Sequence, residues 1–142
     1  MGILESLRDE NGIPPAWHSL YGWTALCRAA ALFGDGQNDE GYRHLEIALD
    51  HLEKTGAYKD GDLLRVGGEK LFGGAVYVWG NGCVQLPDGS LEPIAYEYRM
   101  NSGLKNLYYA ITATSGWEWF NTVRDDARFK KYVERVREKI TH

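Results

Sequence analysis

The sequence predicts an α+β fold: a helical hairpin plus C-terminal helices packed on a small three-stranded antiparallel meander. Two observations carry that expectation. Residues 71–99, LFGGAVYVWGNGCVQLPDGSLEPIAYEYR, alternate apolar and polar positions around two short turn signals, Gly80-Asn81-Gly82 and Pro87-Asp88-Gly89, which is the pattern of hairpin-linked strands. The segments on either side repeat apolar residues at three- and four-residue spacing, the period of a helix with one face in a core.

Taken in chain order, residues 3–10 suit a short helix ended by Asn11-Gly12, and Pro14-Pro15 then forces extended backbone. Ser19 is placed to cap a helix running to about Phe33, with Leu20, Trp23, Leu26, Ala30 and Phe33 along one stripe. Gly34-Asp35-Gly36 stops it. Asn38 is the expected cap of a second helix, with Asp39 and Glu40 complementing the positive end of its dipole and a stripe of Tyr42, Leu45, Leu49 and Leu52. Lys54 and Gly56 close it, and the short connection makes an antiparallel hairpin over residues 19–55. Residues 56–70 read as loop. Strands follow at Val76–Trp79, Cys83–Leu86 and Leu91–Tyr98, with Pro93 marking an edge. Ser102 caps a third helix carrying Leu104, Leu107, Tyr108 and Ile111, and Asp125 or Asp126 starts a last one with Phe129, Tyr132, Val133, Val136 and Ile140 inward. With the meander at 71–99 and the last helices within 102–140, no linker interrupts residues 1–142, which read as a single domain.

Composition excludes several function classes. The chain has 142 residues with 20 acidic against 16 basic side chains, a net charge of −4. Duplex binding rests on a basic excess, so nucleic acid is not an expected partner. No apolar run reaches the ~18–20 residues that span a bilayer. The start, MGILESLRDENG, is acidic where a secretory signal is basic, and Gly2 has no basic cluster to support lipid anchoring, so a soluble, cytoplasmic protein is expected. The two cysteines, Cys27 and Cys83, form no CxxC pair. Cys27, inside an apolar helix, reads as an inert core thiol.

Reactive motifs are weak. Asp35–Glu46 has the length of a calcium-binding loop, but Glu40 stands where that loop needs glycine, so a turn and helix start explain the residues better. His44 and His51, seven apart, lack a third ligand and read as a helix face, giving no metal site. The glycine pairs at 67–68 and 73–74 lack the lysine and following helix of a phosphate loop. A Cys83–His dyad has no activating environment in the sequence. The alternating Lys130, Lys131, Glu134, Arg135, Arg137, Glu138 and Lys139 read as a solvated, salt-bridged face.

The stretch Trp23–Leu52 resembles a single tetratricopeptide-type repeat, with Gly41, Leu45 and Ala48 at the small, large, small positions of its second helix. The terminal VRDDARFKKYVERVRE, residues 123–138, is similar to the closing segment of bacterial helical-repeat regulatory proteins. The resemblance implies a binding or regulatory role and carries over no functional residue.

The remaining feature is aromatic density: five Trp, nine Tyr and four Phe. Alternation puts Tyr77 with Trp79 on one face and Tyr96 with Tyr98 on one face, followed by Trp117 and Trp119 in WEWF. Such rings suit a core between sheet and helices or a recognition surface. The functional expectation is a non-catalytic recognition or regulatory module. It would bind a protein segment or small ligand through Tyr77, Trp79, Tyr96, Tyr98, Trp117 and Trp119, with Arg99 and Asn101 supplying orientation and no cofactor. Two alternatives stay open: a small hydrolase or transferase using Glu92, Glu97 and Glu118, and a structural domain whose aromatic face pairs with a second copy, making a homodimer.

Overall fold

Among the described residues, apolar periodicity becomes helix where the sequence carries it. The computed structural model describes residues 13–67, 74–80, 83–93 and 102–141; the short helix expected over 3–10 lies outside them. Among the described residues four α-helices form: α1 His18–Gly34, α2 Asn38–Lys54, α3 Leu104–Thr112 and α4 Ala127–Thr141. Three short 3₁₀ turns join them, at Pro15–Trp17, Thr55–Ala57 and Glu118–Thr122. The strands are β1 Leu63–Arg65, β2 Val76–Val78, β3 Cys83–Gln85 and β4 Leu91–Pro93. The α+β class therefore holds, with α1 and α2 as the hairpin.

The sheet has four strands rather than three, antiparallel in the order β1-β2-β3-β4. The added strand is β1, from the segment that reads as loop. Three residues amid Gly and Asp show too little alternation to signal a strand. Pairing selects it instead: Leu64 lies opposite Tyr77, Tyr77 opposite Val84 and Val84 opposite Glu92. Pro93 sits in the outer strand β4, where its missing N–H breaks no ladder bond. The Pro87-Asp88-Gly89 signal forms its turn. Gly89 takes φ +88, Leu86 N–H donates to the Ser90 carbonyl at 2.9 Å, and Asp88 Oδ1 accepts from both the N–H and hydroxyl of Ser90 at 2.8 and 2.6 Å.

The described residues gather into two compact units, the boundary falling within α1 after Tyr21. The sheet unit has a small core of Ala16, Leu64, Val66 and Tyr77, edged by Trp17, Tyr58, Trp79 and Val84. Trp17 Nε1 donates to the Val66 carbonyl at 2.5 Å and the Tyr58 hydroxyl donates to the Pro15 carbonyl at 3.1 Å, tying the Pro15–Trp17 turn beside β1.

Among the described residues the helical unit has the larger core. Phe33 is its hub, meeting Tyr42, Phe120 and Phe129 edge-on at 4.9, 5.8 and 6.5 Å between ring centroids. Gly41 makes that possible, since a Cβ there would come within 2.9 Å of the Phe33 ring. The buried Tyr132 hydroxyl donates to the Leu45 carbonyl at 2.5 Å, joining α4 to α2. On α2 the expected stripe of Tyr42, Leu45, Leu49 and Leu52 is buried, and His44 and His51 are buried with it.

Three local expectations change. The N-cap of α2 is Gln37, without a side-chain bond, and Asn38 is the first helical residue. The N-cap of α3 is Gly103, whose N–H donates to the Asn106 side chain at 2.9 Å, instead of Ser102. On α1 the buried line is Ala25, Leu26, Ala29, Ala30 and Phe33, while Leu20 and Trp23 are half-buried and Cys27 is exposed, not a core thiol. The reason is composition. α1 carries one charged side chain, Arg28, in seventeen residues, so its apolar pattern runs nearly all round and cannot mark which face goes inward.

Candidate functional site

The surplus apolar surface of α1 builds the site. Cys27, Ala30, Ala31 and Gly34 recur at three- and four-residue spacing, so they lie on one face of the helix. All are small. Against this stripe stands the segment between α3 and α4, which carries Trp117 and Trp119. Cys27, Ala30, Ala31, Gly116, Trp117 and Trp119 line a groove of about 430 Å³ within the helical unit. That volume falls in the range of small-ligand sites.

The two indoles differ in how firmly they are held. Trp117 is half-buried: it stacks on Phe120 with 6.0 Å between centroids and 16° between planes, and meets Trp23 edge-on at 5.8 Å. Trp119 is 50% exposed. It meets Trp117 edge-on at 6.1 Å, and its Cδ1 would lie 3.0 Å from a Cβ placed on Gly34. One indole is thus a wall anchored in the core, and the other a partly exposed flank resting on a glycine. An exposed Trp of this kind leaves a large apolar area in water.

Glu118, between them, is exposed and accepts the Gly116 N–H at 3.0 Å, closing the turn that presents both rings. That bond holds its carboxyl below the usual glutamate range. A general acid needs the opposite shift. Glu92 is exposed on β4, and Glu97 lies outside the described residues.

The other ring positions separate cleanly. Tyr77 is wholly buried as the centre of the sheet unit's core. Trp79 is half-buried and meets Tyr77 and Tyr58 edge-on at 6.4 and 5.1 Å, so the pair does share a face. Burial pushes the Tyr58 hydroxyl's pKa up. Tyr96, Tyr98, Arg99 and Asn101 lie outside the described residues.

A second hollow in the helical unit, about 600 Å³, is lined by Glu53, Gly56, Leu104, Arg135, Glu138 and Lys139. Its cations are already engaged: Arg135 forks onto Glu46 at 2.5 and 3.0 Å, and Lys139 reaches Glu53 at 2.9 Å. A ligand there would have to compete with those pairs, whereas the lining of the tryptophan groove is mainly apolar. Among the described residues no three His, Cys, Asp or Glu side chains are grouped to hold a metal ion, and no helix is long and apolar enough to cross a membrane.

Sequence reasoning placed Trp117 and Trp119 at a candidate site but missed Cys27, Ala31 and Gly34. Their signal was available in the near-absence of charge around α1, which leaves apolar surface over once the core face is filled. No family model, curated protein or solved structure matches this chain.

Proposed function

We propose that this protein is a non-catalytic recognition module whose tryptophan groove takes a flat, apolar small molecule. One observation carries the reading: two indoles stand over a helix stripe of small residues and leave about 430 Å³ between them. The small side chains of Ala30 and Ala31 let a planar ring lie close to α1, and the indoles supply the edge and face contacts that aromatic ligands favour. Binding would draw on apolar burial at about 25 cal/mol per Å² removed from water, less the cost of ordering the ligand.

The test is titration with the neutral fluorophore phenylnaphthylamine. Saturable binding that quenches tryptophan emission is the expected result. Ala31 is exposed, so Ala31→Leu fills the groove without disturbing the core. It is expected to weaken binding at least about tenfold with helix content unchanged. Equal binding by wild type and Ala31→Leu overturns the reading.

A further inference from the structure

We propose that Arg124 is the positioning residue of the tryptophan groove, a guanidinium clamp that holds the Trp117–Trp119 segment in its ligand-ready shape. The inference rests on the groove being the binding site, and its evidence is a separate set of bonds. Arg124 is half-buried, just beyond the Glu118–Thr122 turn. Its Nη1 donates to the Ile111 carbonyl at 2.8 Å, its Nη2 to the Trp117 carbonyl at 2.9 Å, and its Nε to Asn121 Oδ1 at 2.7 Å. One planar group thus ties three points: the last turn of α3, the backbone of the wall indole, and the turn that carries the flank indole.

Each bond has a physical reason. Ile111 lies next to the end of α3, where carbonyls lack helical partners and carry the negative end of the dipole, so a cation is favoured. The Trp117 carbonyl belongs to the residue whose ring walls the groove, so fixing it fixes where that ring begins. Nε on Asn121 orients the guanidinium plane and leaves the Nη pair to bridge the two carbonyls. Arginine suits this because its donors point in fixed divergent directions; a lysine ammonium presents its protons from a single nitrogen and cannot span the three acceptors. Two further bonds of the 116–120 stretch, Gly116 N–H to Glu118 at 3.0 Å and Phe120 N–H to the Trp117 carbonyl at 3.2 Å, stay within the turn itself and do not reach α3.

The experiment compares wild type, Arg124→Lys and Arg124→Ala in the full chain, reading phenylnaphthylamine affinity and amide hydrogen exchange. Arg124→Lys is expected to raise the dissociation constant at least about tenfold. Exchange across residues 113–121 is expected to speed up while that of α2 stays as in wild type. Guanidinium ion added to Arg124→Ala should restore binding in part. A variant that melts earlier yet binds the fluorophore with wild-type affinity below its transition makes Arg124 a stabilising residue only and overturns the proposal. Unchanged exchange over 113–121 overturns the clamp whatever the fluorophore does. Failure of wild type to bind it, with exchange accelerated as expected, removes the groove reading instead.

Discussion

The two units use aromatic rings in opposite ways. In the sheet unit a buried tyrosine, Tyr77, is the core, and Trp79 and Tyr58 lean on it from the edge. In the helical unit the core is complete without its outermost ring: Phe33, Phe120 and Phe129 fill it, Trp117 caps it, and Trp119 is left half in water. Among the described residues of the sheet unit, no tryptophan or tyrosine is left as exposed as Trp119. The long helix α1, apolar nearly all round, has surface left over, and a site can be built from the excess.

The sharpest way to break that comparison is truncation at each hub. Phe33→Ala removes a ring that touches three others and is expected to cost about 4–5 kcal/mol, near the top of the range for buried aromatics. Tyr77→Ala empties the centre of the sheet unit's described core, where it packs with Ala16, Leu64 and Val66, and is expected to cost about 3 kcal/mol. Urea denaturation followed by circular dichroism measures both. A larger loss at Tyr77 would reverse the ranking.

A finer test makes one substitution at two glycines of the helical unit. At Gly41 an added Cβ meets the buried Phe33 ring at 2.9 Å, and overpacking of about 1–3 kcal/mol is expected for Gly41→Ala. At Gly34 it meets Trp119 at 3.0 Å, and that ring is half exposed and able to swing. Gly34→Ala should stay within about 1 kcal/mol of wild type, since the better helix former offsets the contact. It should nevertheless shift tryptophan emission and weaken phenylnaphthylamine binding severalfold. Equal destabilisation at the two sites would show that Trp119 is packed as tightly as Phe33.

The smallest effect is electrostatic. Glu118 has a depressed pKa through its bond from Gly116 N–H, so the turn's stabilisation is present above the ordinary glutamate value of about 4.3 and is lost as pH falls through the lower folded-state value. Tryptophan emission should therefore be flat from pH 7 to about 5 and change only at more acid pH. Glu118→Gln should remove that transition. A change centred above pH 5 would assign it to another group.

Legibility followed how one-sided each element is. α4 alternates charge with Phe129, Tyr132, Val133, Val136 and Ile140; Phe129, Tyr132 and Val136 are buried, and Val133 and Ile140 pack half-buried against the same core. The Pro87-Asp88-Gly89 turn was equally plain, because a positive φ at Gly89 and an Asp side chain bonding Ser90 are local chemistry. The caps of α2 and α3 each moved by one residue: Gln37 precedes α2 without a side-chain bond, and at α3 the Asn106 side chain accepts the Gly103 N–H. Arg124 carried no signal at all, since nothing local shows that a guanidinium reaches back to Ile111.

By itself the sequence determined the α+β class, the α1–α2 hairpin, the three strands β2, β3 and β4, and the two indoles of the candidate site. These depend on periodicity, turn residues and ring chemistry within a few positions of each other. Only the tertiary structure decided that Leu63–Arg65 joins the sheet, that Tyr77 is core, and which face of α1 stays outside to floor the groove. Each of those is a choice among near-equal local options, settled by pairing and packing with residues distant in the chain.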